Sequence, residues 1–216
     1  APTVQTLRGL LRTTGGALGG VNILNGYRLA SMTCPYPAAA LARGTPLQPR
    51  ELDELLRDHG LGAYLVVGSV YGEAPVARAA VATILRAFAH CSGRRVRLNR
   101  GRAGLLQNLA ARFPGIAARL GFGPDQAARM LSALNLMEGI PDDVALRLPY
   151  WKSGAPLPED LTGALRSGER GLMWYAPLVP MVPDTVQTFE ALVARVCLQH
   201  GFEPLITLTS LSDRCF

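Results

Sequence analysis

The sequence predicts an α+β fold: a ferredoxin-like βαβ…βαβ antiparallel sheet with helices on one face and a helical insertion between the two halves. Three observations lead there. Ala63 to Tyr71 is a β-rich run, turned at Gly72 into a helical pattern and followed by a short strand-like run, Arg95 to Asn99. Gly171 to Pro180, a second helical pattern, and Pro204 to Ser210 repeat that order. Finally, 216 residues at 49% hydrophobic content suffice to bury a core in one or at most two domains.

Taken in order, Thr3 to Arg12 reads as a helix with Val4, Leu7, Leu10 and Leu11 on one face, broken by Gly15-Gly16 and Gly19-Gly20. Val21 to Thr33 is apolar without a clean period and reads as extended, ended by Pro35 and Pro37. Within Thr45 to Gly60 a surface helix carries Glu51-Leu52-Asp53-Glu54-Leu55-Leu56. The helix from Glu73 to His90 buries Val76, Ala80, Ile84 and Phe88. Residues 101–170 are too long for a plain loop and form the insertion, with helices over Leu105 to Phe113 and Pro124 to Leu136 and a short one after Pro141-Asp142. In the second unit Val186, Phe189, Val193 and Val196 recur at helical spacing, Asp184 is placed to cap the start, and Gly201 closes the end.

Composition excludes several classes. No apolar run approaches the roughly 18 residues of a membrane span, so no membrane association is expected. The first residues lack the charged flank and apolar core of a signal peptide, which points to a cytoplasmic location. Cys34, Cys91, Cys197 and Cys215 are scattered without ligand spacing, so no metal site or redox motif is expected. The net charge is +6, and Arg94, Arg95, Arg97, Arg100 and Arg102 cluster. No aromatic residue interleaves with them, so a solvated face or an anion contact is expected and a nucleic-acid partner is not. His59, His90 and His200 fall near helix ends, where a histidine complements the dipole. The residues by themselves name no catalytic group and stop at a binding domain.

Gly171-Leu172-Met173-Trp174-Tyr175-Ala176-Pro177, then a helix, then Gly201-Phe202-Glu203-Pro204-Leu205-Ile206-Thr207-Leu208-Thr209 is more specific. It resembles the cap, or substrate, domain of the FAD-linked oxidase family of vanillyl-alcohol oxidase and para-cresol methylhydroxylase. Asp58-His59-Gly60-Leu61-Gly62-Ala63-Tyr64, leading through Tyr71-Gly72 into a long helix, is similar to the first cap strand and helix, and Leu148-Pro149-Tyr150-Trp151 to a tryptophan-bearing segment before the apolar run. The resemblance runs colinearly through most of the chain. It implies that residues 1–216 are a cap from a larger flavoenzyme, partnered by an FAD-binding domain of the same protein and a small aromatic substrate, and compatible with a homodimer. It also implies that the isolated chain neither binds FAD nor turns over.

Residue by residue, the resemblance implies that Trp174 sits beside the isoalloxazine ring; the bottom-up alternative is a core aromatic on a buried strand. Leu172 stands where the oxidase branch has its FAD-linking histidine, so that bond is excluded. Tyr150 lies close to the linking tyrosine of the hydroxylase branch without superposing on it, and noncovalent FAD is expected. Thr207 and Phe216 occupy the places of a pocket glutamate and a pocket histidine, which makes the implied pocket less polar. The competing reading is a stand-alone ferredoxin-like binding or regulatory domain without catalysis.

Overall fold

The computed structural model describes residues 2–113, 132, 134–135, 137–141, 143–153, 156–168, 170–171 and 173–216. The chain divides into two compact units. One comprises Ala1–Gly93, Tyr150–Ala155 and Leu172–Phe216, the other Arg94–Pro149 and Pro156–Gly171. The fold is α+β with an antiparallel sheet and helices.

The first unit is built on β1 (Leu18–Asn25). It is the central strand of a three-stranded sheet in the order β2-β1-β3, antiparallel to both β2 (Tyr64–Val70) and β3 (Thr207–Thr209). This strand corrects the expectation that Gly19-Gly20 ends a helix and that Val21 to Thr33 is extended throughout. Leu18 pairs with Val70 but Val21 with Gly68, so β1 holds one extra residue, a bulge. The bulge turns Leu18 and Val21 toward the same core. Glycine is needed at 19 because a Cβ there would lie 2.6 Å from the Tyr71 ring.

Alternation along β1 then sends Val21 and Ile23 to one face, and the register adds Leu208 opposite Ile23. Three helices cover this face: α1 (Pro2–Thr13), α5 (Ala74–Ala87) and α8 (Pro183–Gln199). Val4, Leu7 and Leu10 of α1 and Val186 of α8 are buried against it, with Ile84, Phe88, Phe189 and Val193 half-buried around them. Two details of the expected helices change. Val76 and Val196 are exposed, and Val182 rather than Asp184 occupies the N-cap of α8, with Asp184 in the first turn beside the positive end of the dipole. Gly201 takes the left-handed conformation that ends the helix, at φ 82°.

Beyond β1 the chain enters α2 (Gly26–Thr33), then α3 (Ala38–Arg43) and α4 (Pro49–Asp58). Tyr27, Leu29, Ala30, Ala40, Leu47, Leu52 and Leu56 form a second core. Asn25 caps α2 through its side-chain oxygen, and α4 starts with Glu51 accepting from the Gln48 amide at 2.9 Å.

Two expected strands do not form. Residues 94–99 have no regular structure; Val96 is exposed among arginines and gains nothing by pairing. Residues 173–178 have none either, and Pro177 among them has no amide to give to a ladder. Only at Val179–Met181 does that segment pair, with Phe216 and Arg214.

In the second unit α6 (Arg100–Arg112) is capped by Asn99, whose oxygen accepts from Arg102 N at 2.8 Å. Arg100 pairs with Glu138. A 3-10 segment, Asp143–Tyr150, leads from this unit to the Tyr150–Ala155 segment of the first, and α7 (Leu161–Arg166) is capped by Asp160. The expected helix from Pro124 to Leu136 falls mostly outside the described residues. Among the described residues no helix is long and apolar enough to cross a membrane.

Candidate functional site

The face of the sheet opposite the helices carries Asn22, Leu24, Leu65, Thr207 and Thr209 by alternation and register. Leu24 is buried there, Asn22 is half-buried, and Leu65, Thr207 and Thr209 are exposed. Thr209 donates its hydroxyl to Asn22 Oδ1 at 2.7 Å, while the Thr207 hydroxyl stays at the surface. Thr207 pairs with Leu24, and the next residue of β1, Asn25, fixes the end of that pair. Its Oδ1 accepts from both Arg28 N (3.0 Å) and Ile206 N (3.2 Å), and its Nδ2 donates to the Pro204 carbonyl at 2.8 Å. One buried carboxamide therefore joins the strand end, the start of α2 and the approach to β3.

The residues singled out in the sequence separate into two groups. Trp174 is 85% exposed, within a run in which Met173 is 93%, Tyr175 77% and Leu178 71% exposed. It is not a core aromatic. Phe216, by contrast, is buried at 5% among Leu208, Val179 and Met181, held by a two-way backbone pair with Val179. Tyr150 is also buried. Neither Phe216 nor Tyr150 presents its ring to solvent. Leu172 lies outside the described residues.

Sequence reasoning missed a polar cluster beside Tyr150. Trp151 donates its indole N–H to the Cys34 carbonyl at 2.9 Å and meets the Tyr36 ring edge-on at 4.9 Å. Tyr36 donates to Glu203 Oε1 at 2.5 Å, and Lys152 Nζ lies 3.2 Å from that carboxylate and 5.9 Å from the Tyr36 ring centroid. Burial first, then the Glu203 hydrogen bond and charge, holds the Tyr36 phenol well above the usual tyrosine range. The group donates and does not ionise, so the cluster acts as a clasp between the 150–155 segment, the α2–α3 loop and the approach to β3. No sequence motif announces it, because Cys34 and Tyr36, Trp151 and Lys152, and Glu203 lie in three segments far apart in the chain.

Arg28 was missed as well. It is half-buried on the first turn of α2, and burial alone lowers its pKa. Its only sequence signal is a lone charge inside the apolar run Leu24 to Ala30.

No family model matches the chain. It is similar to 1'-carboxy-chondrochloren decarboxylase of Chondromyces crocatus, at 30% identity over 205 residues. That match covers 95% of this chain and 37% of the relative, so the chain spans little more than a third of the length of the curated protein it resembles.

Proposed function

We propose that this chain is the substrate-binding cap portion of a larger FAD-dependent oxidoreductase acting on a phenolic or other aromatic or alcohol substrate. The observation that carries the reading is the bare run from Met173 to Leu178. A unit with two closed cores leaves Met173, Trp174, Tyr175 and Leu178 between 71% and 93% exposed, in the same motif that resembles the flavoprotein cap. Large contiguous apolar exposure marks surfaces that are covered in the working protein. The exposed indole of Trp174 fits the cover of a flat fused ring, so the residues present suit FAD as a lid. When bound, FAD supplies the hydride acceptor.

The chain's own part is binding and exclusion of water. Trp174 and its neighbours close over the reacting atoms, and Thr207 borders the substrate with a hydroxyl that donates or accepts but does not ionise. Phe216 and Tyr150 hold the cap together from inside. Leu172 offers no atom for a covalent link. The relative's name favours a substrate that carries a carboxylate and loses it, and this chain is read as serving a reaction of that kind.

The test is the visible spectrum of the complete parent protein. Bound flavin absorbance that bleaches with an aromatic substrate is expected. A colourless protein under every substrate condition overturns the proposal and leaves a binding domain without redox chemistry.

A further inference from the structure

Arg28 is a half-buried cation that meets no counter-charge among the described residues. Arg12, Arg43, Arg50, Arg100 and Lys152 each meet a carboxylate, with Asp213, Glu51, Glu54, Glu138 and Glu203 respectively. The guanidinium of Arg28 makes no hydrogen bond or ion pair among the described residues, although its side chain is half-buried. Burial lowers its pKa, and no carboxylate of the described residues adds to the cause. Partial withdrawal of a cation from water without a partner is unfavourable. Its nitrogens are not sealed off, since among the described residues no fully buried side-chain nitrogen or oxygen lacks a partner.

Its position is fixed by Asn25. The carboxamide oxygen that accepts from Arg28 N also accepts from Ile206 N, so the first turn of α2 and the residue before Thr207 share one anchor. The backbone of Arg28 and the exposed Thr207 are thus both brought to the Asn25 end of β1. A guanidinium and a hydroxyl together suit a carboxylate: the fork gives paired donors and the hydroxyl a third.

We propose that Arg28 is the anion contact of the substrate site and takes the carboxylate of an aromatic carboxylic acid, with Thr207 bordering the same site. The assignment rests on the cap reading given above and names its substrate class. Arg28 is a binding residue here, and it is not needed for the fold.

The experiment uses this 216-residue chain and three probes: 4-hydroxyphenylacetate, its amide, and acetate. Binding is followed through the Nε–Hε resonance of Arg28 by NMR. The aromatic acid is expected to shift that resonance. The amide and acetate each bind about tenfold or more weakly. Arg28→Gln loses a similar factor for the acid, and Arg28→Lys, which keeps the charge without the fork, falls between. Thermal unfolding of Arg28→Gln should match or exceed the parent, because an unpaired, desolvated charge is gone. The proposal is overturned if acid and amide bind alike, if acetate binds as tightly as the aromatic acid, if Arg28 stays silent at high acid concentration, or if both variants lose the fold. Flavin in the complete protein with a silent Arg28 sinks this inference alone; acid binding at Arg28 in a protein without flavin sinks the flavin reading alone.

Discussion

Tyr36 donates its phenolic hydrogen to Glu203 at 2.5 Å, joining residues 167 positions apart through a carboxylate that is only 8% exposed. The same oxygen receives the Leu47 amide at 3.3 Å, and Lys152 stands beside it. Three remote segments therefore depend on one acceptor. Replacing Tyr36 by Phe removes a hydrogen bond to a charged group and should lower stability by about 2 kcal/mol, measured by urea unfolding. An unchanged midpoint would show that the clasp contributes nothing.

Asn25 is the second shared anchor. Asn25→Ala removes the α2 cap and leaves the Ile206 amide and Pro204 carbonyl without their partner. Loss of a cap costs about 1 kcal/mol and a buried unsatisfied group about 1–3 kcal/mol, so a total near 3 kcal/mol is expected. Asn25→Asp keeps the acceptor and should lose less. Amide exchange would report the damage locally, at Arg28 and Ile206.

Glu190 accepts from Tyr64 Oη at 3.0 Å, and burial raises its pKa, an effect the hydrogen bond only partly offsets. The folded state therefore holds the proton more tightly than the unfolded chain. Stability from this group is complete below the ordinary glutamate value of about 4.3 and falls as pH rises through the raised one. Glu190→Gln should melt at the parent's temperature in acid and above it near neutral pH. A gap that widens on acidification would reverse the sign and refute the argument.

Phe216 and Trp174 are both apolar, and their substitutions should behave oppositely. Phe216→Ala opens a cavity beside Met181 and Leu208 and should cost about 3 kcal/mol. Trp174→Ala touches a side chain that is 85% exposed and should change the stability of this chain by less than about 0.5 kcal/mol. Its effect is expected in the complete protein, as weaker flavin or substrate binding. Denaturation curves of the two variants, set beside ligand titrations of the complete protein, separate core from surface.

The helices α1, α5 and α8 were legible because Val4, Leu7 and Leu10, Ala80 and Ile84, and Val186, Phe189 and Val193 keep a helical period that one packed face selects. β2 and β3 were legible from β-branched runs. The central strand was legible only from Val21 to Asn25, which read as extended. Gly19 and Gly20 carry a breaker's signature, and only the bulge and the approach of Tyr71 explain them as strand residues. The segment from Met173 to Leu178 misled in the other direction, since its apolar composition reads as buried while its side chains are exposed and Pro177 has no amide for a ladder. At the site, Trp174 and Thr207 were found through resemblance. Arg28, Asn25 and the Tyr36 clasp were not, because their roles come from partners distant in sequence or, for Arg28, from the lack of one.

The pairing of Asn22, Ile23 and Leu24 with Thr209, Leu208 and Thr207 also sets the order in which the molecule can assemble. A strand made early must wait for residues made some 185 positions later before its second edge is closed. Such long-range pairing slows folding toward the millisecond-to-second range, and an apolar strand with an open edge is prone to associate with other chains in the interval. Nascent chains halted before Thr207 should therefore engage chaperones and aggregate, whereas three further residues supply the strand that seals the edge.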